Sequence, residues 1–311
     1  YHNCPVLLGS ATPSLESFAR AMNGVYKLLT LTKRTGSGKL PLVTLVDMKD
    51  EVKRGNFILS KILKDKIQDR LDKGEQIILL LNRRGYSSML TCRVCGEVLK
   101  CPNCDISLTY HKSSNTNDIL LGTQMIAKGL DFPKVTLVGV INADSSLNIP
   151  DFRSAENTFQ LLSQVSGRAG RGELNGEVII QSYNTEHYSI NYAKRHDYVN
   201  FYKEEMKIRK TLSYSPYYYL TIVNISSRDY ELGFKEANKI GEYLRRNLNN
   251  DTKVLGPSMA NIFKINNIYH YQCIIKYKRD DKLKKTLKEI DDIYKINNKV
   301  DVSIDVNPVR V

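Results

Sequence analysis

Short apolar runs alternate with amphipathic stretches through much of the chain, and the alternation predicts strands and helices in turn. PLVTLVD at residues 41–47 is apolar over a strand's length. Leu59, Leu63, Ile67 and Leu71 then recur at helical spacing, with Ser60 placed to cap the start and Gly74 to end it. QIILLLN is the next apolar run, and Asp118 to Leu121, Val135 to Ile141 and Glu177 to Gln181 repeat the type. Strands apolar on both faces belong to a parallel sheet covered by helices on each side. Upstream, PVLLGSATPS predicts one more buried strand, ending in a polar turn before a helix.

After Tyr183 the pattern changes. His187 to Leu212 predicts one helix, broken by SYSPYYY at Pro216, with its tyrosines serving as packing groups whose hydroxyls stay wet. YYYLTIVNI then predicts a strand, and Phe234, Ala237, Ile240, Leu244 and Leu248 a helix. VLGPS begins an extended segment and HYQCIIKYK a strand. Leu283, Leu287 and Ile290 mark a second helix, and KVDVSIDVNP alternates as a last strand. The order β-α-β-β-α-β is that of a split βαβ sandwich. Lys264, His270, Tyr271 and Lys276 could meet nucleic acid there, though a solvated strand edge explains them as well. Between the N-terminal stretch and the first predicted strand of the sheet, Lys33 to Lys39 is polar and glycine-containing, as a linker would be.

With 311 residues the chain has room for two or three domains. No apolar run reaches the length of a membrane span and no signal peptide precedes Tyr1, so the expectation is a soluble intracellular protein. A net charge of +13 attracts polyanions and favours nucleic acid as the partner, although such charge also keeps a protein soluble. Four of the six cysteines crowd between Cys92 and Cys104; Cys4 and Cys273 sit among apolar residues and are expected in cores.

The crowded cysteines read C-x-x-C-G and then C-P-x-C. Each pair can make a knuckle whose two thiolates bite a tetrahedral Zn²⁺, Cys92 with Cys95 and Cys101 with Cys104. A redox pair is the rival reading, and two pairs outside a thioredoxin-like setting argue against it. His111 is a further candidate ligand, with a surface histidine as the plainer reading. Just before the cysteines, Asn82, Arg83, Arg84, Gly85 and Tyr86 follow a buried strand. Adjacent arginines at a strand end suit a phosphate or a carboxylate, or form a solvated basic turn.

Further on, Phe159, Leu162 and Val165 mark a helix. If it continues through Arg171, then Gln164, Arg168 and Arg171 fall at i, i+4 and i+7 on one face, left accessible by Gly167 and Gly170. An amide and two guanidiniums in a row suit a γ-phosphate whose charge grows in the transition state; the plain alternative is a basic helix end with glycine caps. By the rule that ligands gather at strand ends, Asn82 to Tyr86, Gly122 to Gln124 and Asp144 should share an edge with this helix. Asp144 would orient water or an arginine there, or cap a turn. Arg153 and Glu156 read as a surface pair.

QVSGRAGRG resembles motif VI of superfamily 2 helicases, GTQMIAKGLDF resembles their motif V, and Gly9, Ser10, Ala11 and Thr12 resemble motif III. A cysteine module directly after NRRGY, followed by GTQMIAKG and DFRSAEN, is similar to the PriA family of bacterial primosomal replication-restart helicases. VLGPS, IFKI and IDVNP extend the resemblance to that family's C-terminal DNA-binding domain, so that it covers essentially the whole chain.

The resemblance implies a RecA-like parallel-sheet helicase lobe with an inserted zinc module and a small α+β C-terminal domain. Residues 1–32 would be the tail of a first lobe, 33–40 the linker, 41–195 the second lobe with its insertion at 88–115, and 196–311 a helical connector and the C-terminal domain. It implies ATP-driven 3′ to 5′ unwinding, recognition of stalled or branched forks, and primosome assembly in the bacterial cytoplasm, associated with the nucleoid. Partners would be forked and single-stranded DNA, primosome proteins, single-stranded DNA-binding protein and the replicative helicase loader, with no membrane. The implied cofactors are zinc and ATP with Mg²⁺. Gln164, Arg168 and Arg171 would be catalytic. Gly129, Asp131 and Gly167 would lie near the nucleotide, and Thr123 near DNA. Lys128, Arg83 and Arg84 add cations for DNA, and Ser10, Ala11 and Thr12 would couple the two sites.

Two departures bear on this. No G-x-x-x-x-G-K-[ST] phosphate loop occurs, so the chain reads as a fragment that should not hydrolyse ATP by itself. The family's module has eight cysteines on two zincs, in which Cys92 and Cys95 partner the last pair and Cys101 and Cys104 the middle pair; neither partner pair is present. Parallel strands also need a crossover of about a dozen residues or more, yet only SSNTN separates His111 and Lys112 from Asp118. That suggests further residues between His111 and Asp118; the alternative is a deletion that closes four thiolates on one zinc. The rival to the motor is a non-catalytic zinc-containing nucleic-acid-binding module.

Overall fold

The computed structural model describes residues 4–31, 40–81, 100–101, 104–107, 119–122, 134–170, 174–296 and 300–308. Contacts divide the chain into two compact units. The first comprises residues 1–13, 28–149 and 153–202, and the second 14–27, 150–152 and 203–311.

The first unit is built on a parallel five-stranded sheet. Its strands are β1 (Leu42–Asp47), β2 (Gln76–Leu80), β5 (Ile119–Gly122), β6 (Val135–Val140) and β7 (Glu177–Ser182), in the order β1-β7-β6-β2-β5. The two central strands β6 and β7 are buried at every position. Helix α3 (Lys61–Asp72) begins where the sequence places it: the Ser60 hydroxyl accepts the Leu63 N–H at 3.3 Å, and Gly74 follows the end at φ +66°. Its Leu63 packs with Ile77, Leu79, Leu137 and Ile179. A Cβ on Gly139 would lie 2.7 Å from Leu79 and 2.9 Å from Leu63, so this glycine sets how close α3 comes to the sheet. The short helix α2 (Met48–Lys53), capped by Asp47, was not apparent in the periodicity.

Helix α4 (Ser154–Ser166) crosses from β6 to β7 and buries Phe159, Leu162 and Val165. Phe159 stacks on Phe201 with centroids 4.3 Å apart. Where one helix was expected from 187 to 212 there are two, α5 (Tyr188–Lys194) and α6 (Tyr198–Thr211), because His196 adopts φ +54° between them. Two short strands, β3 (Lys100–Cys101) and β4 (Cys104–Ser107), pair antiparallel with Cys101 opposite Cys104.

The N-terminal segment departs from its sequence reading. Residues 4–10 form no strand, and Val6, Leu7 and Leu8 are 80, 83 and 71% exposed. A lone apolar segment cannot satisfy its backbone without neighbouring strands, and none of the described strands pairs with it. Cys4 is accordingly exposed, against expectation, whereas Cys273 is buried as expected, which pushes its thiol pKa up to about 11.

In the second unit the predicted order holds: β8 (Tyr219–Ser227), α7 (Tyr230–Asn247), β9 (Lys253–Ile265), β10 (Ile268–Tyr277), α8 (Leu283–Ile296) and β11 (Asp301–Val306). The sheet is antiparallel, β11-β8-β10-β9. Val223, Ile225, Cys273 and Ile275 pack with Ala237, Ile240 and Leu244 of α7 and Leu283, Leu287 and Ile290 of α8. Gly233 keeps α7 close to the sheet, since a Cβ there would meet the Tyr271 ring at 2.8 Å. Helix α1 (Leu15–Met22), capped by Ser14, also belongs to this unit.

Candidate functional site

The two ends of the parallel strands carry different chemistry. At the C-terminal ends, buried Gln181 donates to the carbonyls of Ile58 at 2.8 Å and Ile141 at 3.0 Å, and its amide oxygen accepts the Ser60 N–H at 2.8 Å. Asp144, buried in a 3₁₀ turn over Ala143–Ser145, accepts the Ser182 hydroxyl at 2.8 Å and the N–H groups of Tyr183 at 2.7 Å and Asn184 at 3.1 Å. Of the roles open to it, Asp144 therefore takes that of capping a turn.

The arginine-bearing segment is at the opposite ends. Helix α4 stops at Ser166, three residues after which Ala169 is already in a turn, so the expected continuation to Arg171 and its i, i+4, i+7 face do not form. Gly167 is the C-cap, donating to Ser163 O at 3.1 Å, and Gly170 turns the chain at φ +67°. The Gly170 N–H donates to the carbonyl of Val135, the first residue of β6, at 3.0 Å. A crossover helix must run back along the strands it joins. Its C-terminus thus reaches the strand starts, and the expected gathering of Asp144 and the end of β5 with Gln164 and Arg168 on one edge is not what the fold builds.

The turn is fixed by backbone contact. A Cβ on Gly176 would lie 2.4 Å from the Ala169 carbonyl carbon, and one on Gly170 the same distance from the Gly176 nitrogen. Gly176 in turn accepts the Leu42 N–H at 3.2 Å, at the start of β1. In sequence that strand follows residues 33–40, the linker of the sequence reading, of which 33–39 lie outside the described residues. Gln164 is exposed on the last turn of α4, and Arg168 is half-buried and engaged, its N–H donating to Val165 O at 3.0 Å. Gly176 and Leu42 were not singled out from the sequence; a glycine just before an apolar strand is the only signal there.

Beside this edge Arg70 pairs with Glu177 at 3.0 Å and Glu75 at 3.3 Å, and Lys66 with Glu177 at 2.9 Å. Nearer the start of the chain, Ser10 and Ala11 are exposed, and the Ser10 hydroxyl accepts the Thr12 N–H at 3.1 Å. Glu156 is buried on α4, where the sequence reading had it at the surface, and receives a bond from Gln160 at 3.2 Å.

Several predicted site residues lie outside the described residues: Arg171, Gly129, Asp131, Thr123, Lys128, Asn82, Arg83, Arg84, Gly85, Tyr86, Cys92, Cys95 and His111. Cys101 and Cys104 are described by backbone alone, three residues apart and directly paired. That tight pairing suits a C-P-x-C knuckle, and a thiolate donor set suits zinc. Among the described residues no group of histidine, cysteine and acidic side chains could hold a metal, and no helix is long and apolar enough to cross a membrane.

In the second unit two of the residues considered for nucleic acid are buried. Tyr271 is 2% exposed, its hydroxyl donating to Tyr230 O at 3.1 Å. Lys276 is 5% exposed and donates to Leu212 O at 2.9 Å, with its ammonium 3.5 Å from the Tyr214 ring centroid. Burial, and then the neighbouring Lys253, lower its pKa. Lys264 stays at the surface, its ammonium 4.9 Å from the Tyr269 ring centroid, and His270 is half-buried.

Comparison with known proteins gives two family matches. The Helicase conserved C-terminal domain matches residues 60–173, and the Primosomal protein N C-terminal domain matches residues 210–309. The chain is 44% identical to Replication restart protein PriA of Bacillus subtilis over 384 residues, covering 99% of this chain and 48% of that protein. It is 35% identical to its namesake in Synechocystis over 389 residues, covering 99% and 47%, and 33% identical to that of Chlamydia muridarum over 385 residues, covering 99% and 51%. The chain thus spans about half the length of these relatives. Setting 384 aligned residues against the 311 of this chain leaves at least 73 positions of the Bacillus alignment without a counterpart here.

Proposed function

The chain belongs to the PriA family of replication restart proteins and carries its helicase C-terminal domain, and on that premise we propose that it supplies the second motor lobe and C-terminal domain of an ATP-dependent 3′ to 5′ DNA helicase. The motor acts on stalled or branched forks and restarts replication by assembling the primosome. Forked and single-stranded DNA, single-stranded DNA-binding protein and the replicative helicase loader are its partners.

The observation that carries this reading is the clamped arginine turn. Gly170 ties it to β6 and Gly176 ties it to the start of β1, the first strand after the linker in sequence. An arginine that must meet a nucleotide held by another lobe has to be fixed relative to the lobe joint, because a displacement of about 1 Å is enough to cost on the order of a hundredfold in rate. Arg168 and Arg171 stabilise charge developing on the γ-phosphate, Gln164 orients the attacking water, and Gly167 leaves room beside them. ATP with Mg²⁺ supplies the phosphoanhydride whose hydrolysis drives the cycle. Thr123, Lys128, Arg83 and Arg84 follow the DNA backbone, Gly129 and Asp131 border the nucleotide, and Ser10, Ala11 and Thr12 link the two.

DNA-stimulated ATP hydrolysis by the full-length protein tests the assignment. Arg168→Ala and Arg171→Ala should each lower kcat by about a thousandfold, with the KM for ATP little changed. Undiminished turnover in both variants removes the arginine reading. A wild-type protein that binds DNA without hydrolysing ATP supports the other reading, a zinc-containing nucleic-acid-binding module.

Zinc has a structural part, since Cys92, Cys95, Cys101 and Cys104 offer thiolates and no open position for a substrate. Elemental analysis should return zinc that is released when Cys101 and Cys104 are changed to serine. Metal-free protein with all four thiols titrating as free would reject the site.

A further inference from the structure

Lys276 of β10 stands directly opposite Lys253 of β9 in the antiparallel register, so two ammonium side chains share one face of the C-terminal sheet. It is the face turned away from α7 and α8, because Cys273, Ile275 and Tyr277 take the alternate positions of β10 and pack into the helix-covered core. Like charges directly opposite each other destabilise a sheet, and one of this pair is 5% exposed. Just past the end of β10, Lys278 brings a third cation to the same place.

What holds these cations does not neutralise them. Lys276 donates to the Leu212 carbonyl at 2.9 Å, and its ammonium lies 3.5 Å from the Tyr214 ring centroid. Lys253 donates to the Ser213 hydroxyl at 2.8 Å. The ammoniums of Lys253 and Lys278 lie 5.4 and 5.2 Å from the centroid of one ring, that of Tyr218. Among the described residues no carboxylate pairs with any of the three. Burial and Lys253 both lower the Lys276 pKa, while Asp151, which acts on Tyr214, does not enter that balance. A neighbouring carboxylate would be the ordinary remedy for such crowding. A tyrosine ring instead positions an ammonium and leaves its charge in place for a ligand.

We propose that these three lysines form an anion site for the phosphates of a DNA strand. Lys253 and Lys278, both exposed, touch the phosphates, and Lys276 behind them adds to the field. A bound phosphate relieves the repulsion that the free sheet carries. Lysine meets phosphate as a point charge, whereas a carboxylate is better matched by the arginine fork, and the cations gathered here are lysines. The site depends on the reading above only in taking DNA as the partner, and not on the motor.

Fluorescence anisotropy of the full-length protein with a forked duplex over a salt series tests it, using Lys253→Gln and Lys278→Gln, with Lys284→Gln on an exposed position of α8 as control. Each of the first two should weaken binding by about eightfold at about 100 mM salt and lower the logarithmic salt slope by about one unit, the share of a single phosphate contact. Lys284→Gln should change neither. Lys276→Gln, which keeps a donor for the Leu212 carbonyl, should weaken binding by about threefold through the lost field. Behaviour of all three site variants equal to that of Lys284→Gln would overturn the proposal. Weaker binding at an unchanged slope in Lys253→Gln and Lys278→Gln would overturn it too, since lysines that only hold the fold release no counterions. A labelled oligo-aspartate that loses affinity through those two variants while the duplex does not would give the site to an acidic peptide and reject the proposal. Full turnover in Arg168→Ala and Arg171→Ala beside the lowered slopes would remove the motor reading and leave this site standing. Unchanged slopes beside abolished turnover would do the reverse, and a wild-type protein that binds no DNA would remove both.

Discussion

Several buried polar side chains in this protein meet partners from far along the chain, and there single residues set stability. Tyr294 on α8 donates its hydroxyl to Glu236 of α7 at 2.8 Å, and Glu236 also receives Lys239 at 2.7 Å. Burial, and then Glu236, hold the Tyr294 pKa well above that of an ordinary tyrosine. In the unfolded chain the phenol ionises near pH 10, while the fold keeps its proton. Above that pH the unfolded state binds fewer protons than the native one, so stability falls as pH rises. Tyr294→Phe removes the donor to a buried carboxylate and should cost about 1 to 3 kcal/mol at pH 8. The gap to wild type should then narrow between pH 10 and 11, because only wild type loses a proton-linked contribution. Urea midpoints for the two proteins across that range decide it, and a constant gap would sink the assignment. The same reasoning explains why Tyr271 and Lys276 are buried where their strand positions suggest a surface. On a strand they look like surface groups, and only the arrival of Tyr230 and of Leu212 at the end of α6 makes them interior.

At the scale of elements, periodicity located the parallel strands, α3 with both its ends, and every strand and helix of the C-terminal domain, because those elements carry their burial pattern locally. It failed where a neighbour decides. Residues 4–10 have a strand's composition but no strand beside them. The break between α5 and α6 rests on His196 at φ +54°, with no glycine or proline to announce it. The end of α4 matters most for the site. Helical spacing has Gly167 and Gly170 clear one face of a helix, whereas they end it and turn the chain after Arg168 onto the start of β6. Gly176, which the sequence scarcely marks, holds the other side of that turn. Gly176→Ala forces a Cβ to 2.4 Å from the Ala169 backbone, and backbone cannot yield as a flexible side chain does. The variant should lose about 1 to 3 kcal/mol in urea unfolding. In the full-length protein it should also lower DNA-stimulated kcat, with no added loss when Arg168→Ala is already present. Additive losses would show that Gly176 acts on something other than the arginine turn.

For the whole molecule, two features of the sequence stand out beside its relatives: no phosphate loop occurs in it, and the path from His111 to Asp118 is short. The Bacillus alignment carries at least 73 positions without a counterpart in this chain, and the chain spans about half the length of that relative. Net charge works at this same scale. The excess of 46 Lys and Arg over 33 Asp and Glu says nothing about the fold, which is set by burial, but it fixes how the protein meets a polyanion. If about six of these cations neutralise phosphates, DNA affinity should fall by about a thousandfold between 50 and 200 mM salt, with a slope of roughly −5 on logarithmic axes. Fluorescence anisotropy with a forked duplex measures it, and a slope near zero would remove the electrostatic account of binding. Arg168→Ala should leave that slope unchanged, because its guanidinium is assigned to the nucleotide. A slope reduced by about one unit would instead place Arg168 on a phosphate of the DNA, and the clamped turn would then belong to the track and not to the engine.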